Sequence, residues 1–205
     1  MEAIIATQLS KKEQIIMITK HLKSLAFFTL FVSLQPLAAQ ERIPVDDETN
    51  LITYTGVVEV PKTSADTLYA RLDKWFRKFY KNPTEVIKNR DDAKRSIEGQ
   101  HRFKIAKPDG QAKKGQEPNM VDAGMVLYSI TITCREERFR YEITRFVWKQ
   151  TTAFPAERWM DTEAKGYDPN YAGYLKQLDV YANEIIANLE EFMSTKIILK
   201  DKDKW

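Results

Sequence analysis

The chain has 205 residues, a formal net charge of +3, one cysteine and two histidines. One cysteine excludes an internal disulfide, and so few His and Cys side chains exclude a multi-histidine metal centre or a Cys/His zinc site. Only seven glycines are present. With no Gly-rich phosphate loop, no Gly-x-Ser-x-Gly and no His-Glu-x-x-His, the common nucleotide-binding and hydrolytic motifs are missing.

In chain order, the first feature is apolar. Residues 25–40 read LAFFTLFVSLQPLAAQ, preceded by Lys20, His21 and Lys23 and ending in Pro36, Ala38 and Ala39. The apolar run from Ser24 to Leu34 is about 11 residues, roughly half of what a helix needs to cross a 30 Å hydrocarbon core. A basic flank, a short apolar run and a small-residue end form the pattern of a secretory signal peptide. Residues 1–40 are therefore expected to be cleaved off after Ala39 or Gln40. The mature protein is expected to be exported, periplasmic or extracellular, with no stable membrane anchor. A start at Met17 gives a signal of ordinary length, and translation from Met17 is the expectation. The sole cysteine, Cys134, is far from the cleavage point, so lipidation is not expected. The cleaved segment carries Lys11, Lys12, Lys20 and Lys23 against Glu2 and Glu13, which leaves the mature part close to neutral. That balance gives no electrostatic footprint for nucleic acid.

After a polar lead-in, residues 51–60 alternate, with Ile52, Tyr54, Val58 and Val60 on one face of a predicted strand. Gly56 falls in the apolar register and suggests a bulge or the close approach of a helix. Residues 63–80 switch to helical period, with Leu68, Leu72, Trp75, Phe76 and Phe79 on one stripe, and Thr63 or Ser64 as the cap. Asn82-Pro83 ends that helix. A short strand is predicted at 84–90, and a longer one at 96–105 with Ile97, His101, Phe103 and Ile105 inward. Residues 108–124 read as a charged, mobile loop. Strands at 125–134 and 138–149 form a hairpin. Its inward registers are Val126, Tyr128, Ile130, Ile132 and Cys134, then Phe139, Tyr141, Ile143 and Val147. Residues 150–167 read as a linker. Asp168-Pro169 starts a last helix with a stripe of Tyr171, Leu175, Leu178, Ala182, Ile185, Leu189 and Phe192.

The order strand, helix, about four strands, long helix predicts one α+β domain over 41–195, followed by a polar tail at 196–205. Both helices are expected on one face of an antiparallel sheet of about five strands, a two-layer sandwich. The other face is polar, with Thr53, Thr55, Glu98, Gln100, Arg102, Ser129, Thr131, Thr133, Arg140, Glu142 and Thr144.

Three stretches together carry a resemblance: IPVDDETNLITYTGVVEVP (43–61), LYARLDKWFRKFY (68–80) and YSITITCREERFRYEITRFVW (128–148). They resemble a family of exported domains of unknown function with a TBP-like fold, common in the Bacteroidota. The resemblance runs from Arg42 to Lys149 and is looser in the last helix. It implies a TBP-like sandwich and an exported location, and no activity. The name describes shape; an exported protein meets no chromosomal DNA, and the polar face mixes acids with bases.

Candidate sites follow from the same registers. Phe146 and Trp148 share the register of Arg140, Glu142 and Thr144, and Phe154 and Trp159 follow soon after. Together they are read as an exposed partner-binding patch. His101 reads as a hydrogen-bonded core histidine, Cys134 as a small buried hydrophobe, and Asp46-Asp47-Glu48 as a solvated lead-in. The stripe on the last helix reads as core, which leaves the protein a monomer or weak dimer. No catalytic constellation, cofactor site or metal site is expected. The function that fits is a non-enzymatic exported binding module recognising a protein or envelope component. The alternative is a helix-grip carrier of a small hydrophobic ligand, which needs a cavity between helix and sheet.

Overall fold

A computed structural model describes residues 43–110, 117–150 and 152–194. The expected signal peptide (1–40), the polar tail (196–205) and the middle of the 108–124 segment lie outside the described residues. Among the described residues ten elements run in order: β1 (Tyr54–Glu59), α1 (Ala65–Phe79), a single turn α2 (Pro83–Val86), β2 (Ile87–Asp91), β3 (Ser96–Pro108), β4 (Met120–Arg135), β5 (Arg138–Lys149), β6 (Ala153–Pro155), a 3-10 turn (Ala156–Met160) and α3 (Asn170–Ser194). The six strands form one antiparallel sheet in the order β1-β5-β4-β3-β2, with β6 also on β5. The chain thus has the α+β sandwich expected of it, with one strand more. No helix among the described residues is long and apolar enough to cross a membrane.

The inner face follows the alternation of the sequence. Ile97, Phe103 and Ile105 from β3, Val126, Tyr128, Ile130, Ile132 and Cys134 from β4, and Phe139, Tyr141 and Ile143 from β5 are all buried. Above them α1 lays down Leu68, Leu72, Trp75 and Phe76. Ser64 caps α1 by accepting from the Thr67 amide at 3.2 Å, and Asp66 sits at the positive end of the helix dipole. The close approach of this helix occurs at Gly99, where a Cβ would lie 3.0 Å from the Phe76 ring. Gly56 has a different role. It is the register partner of Tyr141, whose ring lies across it, and a Cβ there would come 2.5 Å from the Tyr141 hydroxyl oxygen.

Among the described residues four polar links hold α3, two to the sheet and two to α1. Tyr54 donates to the buried Asp179 carboxylate at 2.7 Å, and Trp75 donates to Asn188 at 2.9 Å. Arg71 donates to the Met193 carbonyl at 2.8 Å. Gln177 donates to the Ala106 carbonyl at 2.8 Å and accepts from the Ala106 amide at 2.9 Å. Asp168 starts the helix as expected, accepting from the Asn170 amide at 2.9 Å. The centre of the stripe, Leu178, Ala182, Ile185 and Leu189, is buried against the protein's own sheet. Its ends differ from expectation: Tyr174 and Met193 are the buried residues, while Tyr171, Leu175 and Phe192 are half-buried at the margin. A repeat of 3.6 residues drifts from a strict 4-3 stepping over seven turns, so the ends rotate out of the stripe.

Three segments read as irregular or as strand are built differently. Residues 83–86 form a helical turn before β2 begins, because Pro83 is preset for a first helical turn. Residues Met120–Gly124, placed in the loop, are part of β4, which carries a bulge where Gly124 opposes Ile105 and Asp122 opposes Ala106. The linker at 150–167 folds back, pairing Ala153–Pro155 with β5 and then turning through the 3-10 segment. On the open face, Ser129 is buried, a short side chain between its register partners Gln100 and Thr144.

Candidate functional site

The aromatic patch expected at Phe146, Trp148, Phe154 and Trp159 is not an exposed surface. Phe146 is 1% and Trp159 0% exposed, and Trp148 and Phe154 are half-buried against the core. The physical reason is a bulge. Arg145 adopts φ 58, and the β4–β5 register jumps between Leu127 opposite Val147 and Ser129 opposite Thr144. Two residues of β5, Arg145 and Phe146, therefore face the single Tyr128, and every later side chain changes face. Phe146 and Trp148 turn inward, while Val147, read as inward, turns to the open face. β6 and the 3-10 turn then close over them. Trp148 meets Trp159 at 5.8 Å and Tyr174 at 5.5 Å between ring centroids, and Phe154 meets Tyr171 at 5.8 Å. The Trp148 indole donates to the Ala123 carbonyl at 2.9 Å, and Glu157 accepts from the Ile52 amide at 2.9 Å. This end of the sheet is closed core.

The other end is open. β2 pairs with only Ser96–Gly99 of β3, because it begins at Ile87, directly after α2. A notch of about 560 Å³ remains beside Gln100, His101 and Arg102. Lys81, Lys88 and Arg102 line it against one carboxylate, Glu85. The Lys88 ammonium donates to the Glu85 carbonyl at 2.6 Å, which holds it at the rim.

His101 lies at the inner wall of the notch. Its ring packs on Tyr80 at 5.0 Å, and Tyr80 in turn shares a 3.1 Å hydrogen bond with Tyr128. Contrary to the expectation of a hydrogen-bonded core histidine, its Nδ1 is buried without a hydrogen-bond partner among the described residues. Burial, helped by the positive charge of Arg102, holds the imidazole pKa below its usual 6.5. The ring is thus neutral near pH 7 and gains charge on acidification.

Other candidates are accounted for locally. Asp46 closes a turn, accepting from the Thr49 amide at 2.8 Å and from its hydroxyl at 2.7 Å, which lowers its pKa. Cys134 is buried, and burial pushes its thiol up to about 12, far from a reactive thiolate. Among the described residues no group of three or more His, Cys, Asp or Glu side chains is placed to hold a metal ion. The space between helices and sheet, where a hydrophobic ligand would sit, is occupied by Trp75, Phe76, Tyr128 and Leu178. An open groove of about 470 Å³ does lie outside α3, floored by Phe103 and Tyr181, whose rings stack at 4.2 Å.

The notch could not be read from residue types alone. Lys81 and Lys88 flank the Asn82-Pro83 break, and the strand predicted at 84–90 is visibly shorter than its neighbour at 96–105. That mismatch in length is the one signal that part of an edge stays unpaired.

Comparison with known proteins agrees with this architecture. Residues 54–149 match the family model described as a domain of unknown function (DUF4468) with TBP-like fold. A crystal structure of a TBP-like protein from Parabacteroides distasonis ATCC 8503 is similar with a TM-score of 0.59 at 14% identity, over 75% of this chain and 97% of that one. A DUF4468 family protein from Bacteroides ovatus ATCC 8483 is similar with a TM-score of 0.57 at 17% identity, over 75% and 91%. No curated protein matches. At these identities the likeness shows the fold alone.

Proposed function

We propose that this chain, whose residues 54–149 match the DUF4468 family model, is a non-enzymatic exported module that binds a protein or envelope component through its anionic groups. The observation that carries this reading is the notch, in which Lys81, Lys88 and Arg102 converge beside a half-buried histidine with one opposing carboxylate. Cations of one sign gathered around a concave site attract an anion more strongly than the same charges spread over a convex surface. Export rests on the signal-like residues 25–40. The carrier alternative finds no such support, because the helix–sheet space is filled.

The test is an NMR titration with a tetraglutamate peptide and, separately, pyrophosphate. Amide shifts clustered at Lys81, Lys88 and Arg102, and affinity at least fivefold weaker in a Lys88→Glu/Arg102→Glu double variant, are expected. Shifts scattered away from the notch, or an unchanged affinity in the double variant, would contradict the reading.

A further inference from the structure

The notch and the groove outside α3 lie along one feature, the outer edge of β3. β2 satisfies that edge from Ser96 to Gly99. At Ala106 the Gln177 side-chain amide satisfies it again, giving and taking the same two hydrogen bonds that a neighbouring strand residue would. Between these two points, from Gln100 to Ile105, no strand or side chain among the described residues takes the backbone groups that face outward. Six residues at about 3.3 Å each leave roughly 20 Å of open edge. In an antiparallel ladder every second residue of such a segment turns its N–H and C=O outward.

The surroundings of this edge differ on its two sides. On the helix side, Phe103 and Tyr181 floor the groove, flanked by Val180 and by Met120, which are 49% and 55% exposed. On the open-sheet side stand Arg102 and Lys104, the latter 3.4 Å from the Asp122 carboxylate. Taken together, the notch and the groove are lined by five cations, Lys81, Lys88, Arg102, Lys104 and Lys176, and by two carboxylates, Glu85 and Glu184. An added strand sends alternate side chains to these two sides. The helix side suits apolar side chains, and the open side suits acidic ones.

From this juxtaposition of an unpaired strand edge, an apolar groove and a basic rim, we propose that β3 takes an extended, alternately acidic and apolar segment of a partner protein as an added strand. Main-chain hydrogen bonds supply affinity in this mode, and the alternating pockets supply selectivity. Lysines and arginines on an edge also discourage pairing between copies of the same chain, because like charges would face each other across the new ladder. An acidic partner removes that repulsion. The inference rests on the anion-binding reading of the notch and adds the class of partner and the geometry of its attachment.

The test uses capped eight-residue peptides with Glu at alternate positions and Val, Leu, Phe or Thr between them, with binding to the domain read by fluorescence anisotropy. The best binder of this panel is then made as two isomers, each N-methylated at one set of alternate amides. Methylation keeps charge and side chains and removes N–H donors from one edge of the peptide. One isomer is expected to bind at least tenfold more weakly and the other within about threefold of the parent. Lys in place of Glu is expected to weaken binding at least tenfold, and Arg102→Glu at least fivefold. If both isomers bind like the parent, the strand is overturned while anion binding in the notch stands. If no acidic peptide binds at millimolar concentration, both fall. Concentration-dependent dimerisation with slow amide exchange over Gln100–Ile105 in the free protein would make the edge a seam between copies and overturn the partner segment.

Discussion

β5 and β3 are the two long strands on either side of central β4, at 12 and 13 residues, yet their outer edges are treated in opposite ways. β1 covers β5 from Arg138 to Ile143, and β6 covers it from Val147 to Lys149. At the bulge between them Thr144 donates to the Ile52 carbonyl at 3.2 Å. Among the described residues the outer edge of β3 has one short companion and a single side-chain clamp. The closed edge holds the aromatic residues that looked available, and the open edge holds the histidine that looked buried. Exposure in a sheet thus depends on which strand pairs with which edge as much as on the residue types along it.

The largest break in this comparison comes from opening the closed end. Trp159→Ala removes a fully buried indole from beneath α3, and the cavity is expected to lower stability by about 3–5 kcal/mol, read as a shift in the urea midpoint. A loss below about 1 kcal/mol would mean that β6 and the 3-10 turn do not seal this end.

The bulge supplies the next effect. Arg145 holds φ 58, a left-handed conformation that costs a β-branched residue most. Arg145→Val is expected to destabilise by about 1–2 kcal/mol, and Arg145→Gly to be neutral or stabilising. Equal effects of the two in thermal melts would argue against the inward turn of Phe146 and Trp148.

These residues also mark the limit of what was legible in the sequence. Alternation over Ile97–Ile105 and Val126–Cys134 fixed faces correctly, because a half-buried strand writes its burial at every second position. The helix over 63–80 was equally plain, since its stripe and its Ser64 cap agree. The bulge left no mark, because an arginine at positive φ has no compositional signature, and Phe146 and Trp148 turned with it. β6 is three residues long and includes Pro155, too short for periodicity. The notch depends on where β2 begins, a property of pairing and not of any single residue.

The smallest expected effect is at the open end. His101 has its pKa held below 6.5 by burial. In the unfolded chain the imidazole binds a proton near pH 6.5, before the folded form does. The unfolded state therefore holds more protons in that window, and stability falls as pH drops below about 6.5. His101→Gln is expected to flatten that part of the stability–pH curve between pH 7.5 and 5, measured by urea unfolding. In the intact protein, binding of an anionic peptide is expected to strengthen over the same range and to lose this dependence in His101→Gln. A profile identical in both proteins would place the titrating group elsewhere.

The contrast between the two edges is tested most directly by residue-resolved amide hydrogen exchange on the free, monomeric protein. Protection is expected on consecutive residues of β5 through Phe139–Ile143 and again at Val147 and Trp148, because each amide there faces either β4 or a companion strand. From Gln100 to Ile105 in β3, protection is expected to alternate, slow at amides turned to β4 and fast at those turned outward. Uniformly slow exchange through Gln100–Ile105 would show that the edge is already covered and would contradict an open β3.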